Sequence, residues 1–393
     1  MGKTGHSGTK VVLFFVKPLF HSHRERIRGV YAAAIERGWH VQQIDAEPTV
    51  NRLCNDIQTW NPIGCLIDPS VMTGHIDPRA LRLIPTVIMG RGEATLPWEQ
   101  FDYSAQDFRS PVTAAISELT RLGLKHFAFF GDPGQPYWSV ERGQFFREGL
   151  PPDSTFSEYA GPNPNTVHGR KAVVKWLLSL PRPCGCLLAA DHMAISFYTA
   201  ADAVGLAIGS DLPTLGVDDD ERICKSLKPT LSSVQLDVFM NGVNAVLLLE
   251  RRLSDASQAP QRITYGTLGI SRRASTSPYF NDHRATKGMI FINEHGCEGI
   301  TVNTVAKEMG CCRRLAEELF RRHTGISILD TIRKVRMEKC MSLLRNKSVP
   351  IDAIPYQCGY GASPAYLKTY FKKQTGMTMR EWRKSQGRLV AGL

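Results

Sequence analysis

"VAKEMGCCRRLAEELFRRHTGISI" (Val305–Ile328) and "CGYGASPAYLKTYFKKQTGMTMREWR" (Cys358–Arg383) repeat one scheme. In each, a short helical pattern, Val302 to Met309 or Ile351 to Cys358, meets a turn at Gly310 or Gly359. The chain then restarts as a basic helix that ends FRRHTG or FKKQTG. Helix, tight turn and second helix form the unit that presents its second helix to the DNA major groove. Between the two basic helices, Ile326 to Arg345 reads as one helix. Its roughly 20 residues would span about 30 Å, close to the ~34 Å of one DNA turn. Both units can therefore reach successive grooves on one face of a duplex.

Charge supports the same assignment. Residues 283–393 carry 20 of the 48 lysines and arginines but only 9 of the 37 acids, so the whole net charge of +11 sits there. The remainder of the chain is neutral, which suggests a basic module attached to a neutral one. By helix position, Arg313, Arg314 and Glu318 in the first unit and Lys368 and Thr369 in the second are expected to face bases. Arg321, Arg322, Lys372 and Lys373 are expected to hold phosphates, which fixes register without reading sequence. Glu318 is two-edged, because a carboxylate accepts from cytosine N4 but repels phosphate. Any one of these residues also reads as solvated surface; their recurrence in two parallel frames is what argues for DNA. Pro355 should weaken or kink the first helix of the second unit, while Ser363 and Pro364 make a good N-cap and N1 pair for the helix after it.

The ten cysteines include the adjacent Cys311 and Cys312, yet no C-x-x-C occurs. They read as reduced thiols of a cytosolic protein, with a vicinal thiol sensor as the competing reading. The start MGKTGHSGTK has no apolar signal core. No apolar run approaches the roughly 20 residues of a membrane helix. A cytoplasmic protein with no membrane contact is expected.

Upstream, strand and helix patterns alternate. KVVLFFV (10–16) is a buried-strand run, HRERIRGVYAAAIERG (23–38) a helix stopped by Gly38, and WHVQQI the next strand. GCLID (64–68), PTVIMG (85–90), a helix over 105–122, KHFAFFG (125–131), a helix over 141–149, CGCLLAA (184–190), a helix over 191–204 and LPTLGV (212–217) follow. Such repetition implies an open parallel α/β sheet, and the restart near 105 implies two lobes. Sites in these sheets lie at the carboxyl ends of strands. There the chain places His21, Ser22, His23 and Arg24; Tyr137, Trp138, Glu141 and Arg142; Asp191; and Asp218, Asp219 and Asp220. An aromatic face, an arginine fork and carboxylates are the tools for clamping a sugar, and they require no metal or other cofactor. Against this stand plainer readings: solvated loop histidines or a metal pair at 21–23, a helix cap or Mg²⁺ ligands in the aspartate run, and a core role for Trp138.

The strand succession, R-x-x-F at Arg142 to Phe145, and LGVDDDE followed by LKPTLSSVQLD resemble the effector domain of the lac and gal repressor family. That resemblance implies an α/β two-lobed periplasmic-binding-protein-like domain of parallel sheets over 10–275. It carries sugar-binding roles to Arg142, Asp218 and Asp191. Ala190 stands where a polar side chain is common. The two basic units resemble the DNA-binding domain of the AraC/XylS regulators, with Gly310, Phe320, Gly325, Gly359, Phe371 and Gly376 in place. An all-α C-terminal domain with two helix-turn-helix units is implied over 285–385. Departures are Ala316 at a usual core leucine, Glu318 at a position often basic, and a turn YGASPAY longer by one residue.

The combined order is similar to that of the xylose operon regulators. It implies a sugar-responsive transcription factor, not an enzyme, that binds double-stranded promoter DNA as a homodimer. D-xylose or a similar pentose is the implied effector, with Arg24, Trp138, Arg142, Asp191 and Asp218 as ligand-binding residues. The AraC-type module implies activation by contact with RNA polymerase. The flanks are expected as a disordered N-terminus (1–9), a linker (276–284) and a tail (386–393). Two other readings stay open: control by a protein partner without a sugar, and a sugar-acting enzyme using Asp218 and a neighbour as acid and base.

Overall fold

The structure, a computed structural model, describes residues 9–72, 77–90, 100–277, 282–346 and 349–390, with side chains to residue 385. The expected disordered N-terminus, apart from Thr9, lies outside these residues, as do positions 278–281 of the expected linker and 391–393 of the tail.

The chain begins β1 (Lys10–Phe15), α1 (His21–Glu36), β2 (Trp39–Ile44), α2 (Val50–Trp60), β3 (Gly64–Ile67), β4 (Thr86–Ile88) and β5 (Asp102–Gln106). It continues with α3 (Arg109–Thr120), β6 (His126–Phe130), α4 (Tyr137–Gly149), β7 (Thr155–Glu158), α5 (Val167–Ser179), β8 (Cys184–Leu188) and α6 (Ala194–Asp202). Next come β9 (Thr214–Val217), α7 (Glu221–Ser226), β10 (Ser232–Leu236), α8 (Val238–Ser254), β11 (Arg262–Tyr265) and β12 (Thr267–Ser271). The rest is helical: α9 (His283–His295), α10 (Val302–Glu308), α11 (Arg313–Thr324), α12 (Ile328–Arg345), α13 (Ile354–Gln357), α14 (Pro364–Thr375) and α15 (Met379–Val390).

Two compact units result. The first holds Met1–Phe108, Pro136–Trp138 and Asp237–Gly266; the second holds Arg109–Gln135, Ser139–Leu236 and Thr267–Leu393. In the first, six parallel strands run β11-β5-β4-β3-β1-β2. β1 is apolar on both faces because both are covered. Its Leu13 and Phe15 pack with Leu53 of α2, while Val12 and Phe14 pack with Val30 and Ala34 of α1 and with Ala245 and Leu249 of α8. α1 and α8 approach so closely that a Cβ on Gly29 would lie 2.0 Å from the Phe239 carbonyl oxygen, and one on Gly242 2.2 Å from that of Arg26. Only glycine fits at that crossing.

In the second unit the strand order is β12-β10-β9-β8-β6-β7, all parallel except β12, which runs antiparallel to β10. α9 to α15 make two separate apolar cores. One gathers Val305, Ala316, Leu319, Phe320, Ile328 and Ile332; the other gathers Cys340, Leu344, Ile354, Leu367, Phe371 and Met379. α12 contributes its first half to one core and its second half to the other.

Three sequence expectations are corrected. The helix expected over 105–122 starts only at Arg109, because 102–106 is strand β5. Its Asp102 is buried and receives Arg251 (2.9 Å), Arg252 (2.6 Å) and the Gln261 amide (2.7 Å). These bonds tie the segment into the sheet against its local pattern. The connector is two residues shorter than expected, since Ser327 caps α12 by accepting from the Asp330 amide at 3.1 Å. Its 18 residues span about 27 Å. The helix expected over Ile351–Cys358 is split into a 3-10 turn, Ile351–Ala353, and the single turn α13. Pro355 lies in the first turn of α13, where its missing N–H is not needed.

Candidate functional site

Both sheets reverse their winding beside their first strand, with β1 between β3 and β2 and β6 between β8 and β7. A crevice opens outside the carboxyl ends of the strands at such a switch point. The candidate residues sit at these two edges.

In the second unit, Arg142 of α4 is 4% exposed and donates to the Ala189 carbonyl at the end of β8. Two residues on, Asp191 is 1% exposed. One of its oxygens accepts from Ser233 Oγ (2.7 Å), the other from the Asp220 amide (2.7 Å) and Cys224 Sγ (3.4 Å). Burial pushes the Asp191 carboxyl well above its usual range, and the adjacent Asp218 pushes it the same way. The three consecutive aspartates separate into three environments. Asp220 N-caps α7 by accepting from the Arg222 amide at 3.1 Å. Asp219 is buried and accepts from Arg273 (2.8 Å), Ser271 Oγ (2.8 Å) and Gln235 (2.7 Å). Asp218 is half-buried at the end of β9 with φ 108°, and Asp219 follows at φ 54°. Two successive non-glycine residues in left-handed backbone store strain, which concentrates at functional turns. Two strands away in the sheet, Asp132 at the end of β6 lies 3.6 Å from His192, whose hydrogen bond holds its carboxyl below the usual value.

In the first unit His21, His23 and Arg24 lie in the first turn of α1, which starts two residues before the expected helix and so takes in both histidines of the loop reading. His23 Nδ1 accepts from the Phe20 amide at 3.3 Å, and burial lowers its pKa to about 4. Arg24 is half-buried, as is Trp138 in the first turn of α4. Sequence reasoning overlooked the buried pair of Arg26 with Asp68, which stands at the end of β3 and also accepts from the Ser70 amide at 2.8 Å. The signal was available: Asp68 is the one charge closing the apolar strand GCLI at the switch point. Among the described residues no group of three or more His, Cys, Asp or Glu side chains is placed to hold a metal ion.

The DNA-facing candidates are all exposed. α11 buries Ala316, Leu319 and Phe320 and exposes Arg313 in its first turn, with Arg314, Glu318, Arg321 and Arg322 on the side away from that core. Glu318 and Arg322 pair at 2.9 Å, so the atypical acid neutralises a phosphate candidate one turn away. α14 buries Leu367 and Phe371 and exposes Lys368, Thr369, Lys372 and Lys373. Lys368 pairs with Asp352 at 2.7 Å, and Thr369 Oγ1 donates to the Ala365 carbonyl at 3.2 Å. Cys312 is the exposed N-cap of α11, and Cys311 is half-buried with its thiol pKa pushed up by burial. Sequence reasoning also overlooked Arg333 of α12, which reaches Tyr366 Oη at 3.1 Å and lies over the Tyr370 ring, bracing α14 against the connector.

Two family models match the chain: a periplasmic binding protein-like domain over residues 116–276 and a helix-turn-helix domain over 305–385. The xylose operon regulatory protein of Escherichia coli (strain K12) is 28% identical over 372 residues, covering 92% of this chain and 93% of that protein. This chain is thus similar to a xylose operon regulator over nearly its whole length. With its helix-turn-helix domain, it is a DNA-binding transcriptional regulator and not an enzyme. The xylose operon regulatory protein of Haemophilus influenzae (strain Rd) is 27% identical over 320 residues, 78% of this chain and 82% of that one. Among solved structures, a xylose-binding transcription activator shares the fold at TM-score 0.58 and 24% identity, covering 96% of this chain and 99% of that one. No helix among the described residues of this regulator is long and apolar enough to cross a membrane.

Proposed function

We propose that this regulator senses D-xylose or a similar pentose and activates transcription of a sugar-utilisation operon. The Asp218–Asp219 turn carries this reading: a half-buried carboxylate held in left-handed backbone at the end of β9, while the buried guanidinium of Arg142 bonds the end of the neighbouring strand β8. In this reading Arg142 and Asp218 clamp sugar hydroxyls. Asp191, whose oxygens are engaged within the lobe, holds the turn from behind. Arg24 supplies a second fork and Trp138 an apolar face for the sugar ring. Residues 10–275 form the effector domain, 276–284 the linker and 285–385 the DNA-binding domain. Arg313, Arg314, Glu318, Lys368 and Thr369 face bases; Arg321, Arg322, Lys372 and Lys373 hold phosphates. The protein acts as a homodimer, and its activating contact is with RNA polymerase.

The test is thermal unfolding of the full chain against a panel of pentoses and hexoses, paired with binding to a promoter duplex with and without each sugar. A pentose should raise Tm and change DNA affinity, and Asp218→Asn and Arg142→Ala should abolish both effects. A chain that no sugar stabilises would favour control by a protein partner.

A further inference from the structure

α12 turns a polar stripe toward the sheet of the second unit. Glu338, Ser342 and Arg345, spaced i, i+4 and i+7, share one face of the helix. Arg345 donates to the Leu268 carbonyl at 2.8 Å. Glu338 pairs with Arg272, which also grips the buried Glu118 of α3 at 2.8 Å. Ser342 Oγ donates to Gln235 Oε1 at 2.7 Å. The buried apolar residues of α12 pack instead into the two helix-turn-helix cores. A crevice of about 790 Å³ opens at this joint, lined among others by Gln235, Arg272, Glu338, Ser342 and Arg345. Hydrogen bonds beside open solvent rearrange at far lower cost than packed cores do.

Gln235 has its two ends in different places. Asp219 accepts only, so the Gln235 amide nitrogen must face it (2.7 Å), which leaves the carbonyl oxygen for Ser342. The register of β10 against β12 shifts between Gln235 and Leu236, an irregularity of the kind that re-aims a side chain. Behind Asp219 the bonds continue: its amide donates to Ser233 Oγ at 3.0 Å, and Ser233 Oγ donates to Asp191 at 2.7 Å. A continuous polar chain thus joins the strained aspartate turn to the helix that carries both DNA-reading units.

We propose that Gln235 is a positioning residue of this regulator, one that transmits the state of the Asp218–Asp220 turn to α12 through Ser342. As far as the transmitted signal is a sugar, this rests on the sensing role proposed above. Coupling of this kind is reciprocal, so it can be read without any sugar, by amide hydrogen exchange on the full chain. Ser342→Ala, a change on the DNA-binding side, should raise exchange at the Asp219 and Asp220 amides at least threefold, and Gln235→Met should do so at that turn and in 335–345. Wild-type exchange at Asp219 and Asp220 in both variants would overturn the proposal. A second arm measures affinity for a promoter duplex with and without D-xylose. Both variants should keep sugar affinity within about twofold while the sugar-induced change in DNA affinity falls toward one, and the double variant should add nothing. A full sugar response in the variants would overturn the proposal. A wild type that ignores every sugar while the turn amides still respond to Ser342→Ala would refute the sugar reading and leave the relay standing.

Discussion

Asp218→Gly should make the protein more stable and deaf to sugar. Asp218 sits at φ 108°, a region that costs a non-glycine residue about 1–3 kcal/mol and glycine almost nothing. Glycine returns roughly 0.4–1 kcal/mol of this through the greater freedom of the unfolded chain. Removing the carboxylate also relieves its repulsion of Asp191. The backbone bond from the Asp218 amide to the Val234 carbonyl, 3.0 Å, survives the change. The balance is a gain of about 1–2 kcal/mol, or roughly 2–8 °C in Tm for a unit of this size. Urea and thermal unfolding of the full chain measure the first effect, and the pentose-induced rise in Tm measures the second. Asp218→Asn is the control: asparagine tolerates left-handed backbone, so it should be nearly neutral in stability while losing the sugar. An Asp218→Gly protein less stable than wild type would refute the strain argument, because the turn would then be held by the side chain rather than imposed on it.

Arg26→Ala should destabilise the first unit by about 3–5 kcal/mol, since it strands the fully buried Asp68 carboxylate; urea unfolding followed by a probe in that unit checks it. Asp68 has its pKa lowered on folding, so the pair's contribution is complete above about pH 4, the ordinary carboxylate value, and is lost as pH falls through the lower, folded value. Unfolding curves between pH 3 and 7 should show this loss in wild type and its absence in Asp68→Asn. Asp191 has the opposite sign: its pKa is raised on folding, so wild type should lose stability relative to Asp191→Asn as pH rises above about 4. In the DNA-binding module, Arg322→Ala should reduce the slope of log affinity against log salt by about 1. Glu318→Gln should strengthen non-specific binding by releasing Arg322 from its partner, and titrations at several salt concentrations read both effects.

The parts legible in the sequence were those where local pattern and tertiary role agree. KVVLFF is apolar on both faces because both faces of β1 are covered, and the paired Phe320–Gly325 and Phe371–Gly376 endings mark helices that stop in left-handed glycines. β5 was illegible because Asp102 and Gln106 are polar residues in a buried strand, and Asp102 is satisfied there by arginines about 150 positions away. The roles within the aspartate run were illegible for a similar reason. Nothing local tells Asp218, at a strand end, from Asp219, which is claimed by Arg273, Ser271 and Gln235 from two other strands and a loop. The Arg26–Asp68 pair hid because one partner lies inside an amphipathic helix and the other reads as the polar end of a strand.

The division of α12 between two cores constrains how any signal can act on DNA binding. Ile328 and Ile332 are sealed in the first helix-turn-helix core, and Leu343 and Leu344 in the second. Altering the spacing of the two reading helices would mean unpacking residues of this kind. Each is worth about 2–5 kcal/mol when truncated to alanine, whereas coupling between sites amounts to about 1–3 kcal/mol in total. The connector's length of about 27 Å is therefore outside the reach of an effector. The polar stripe Glu338–Ser342–Arg345 is within it, because exchanging hydrogen bonds beside a solvent-filled crevice costs about 1 kcal/mol each. A ligand can thus swing or release the module as a body, but it cannot retune the distance between the two major grooves that the module reads.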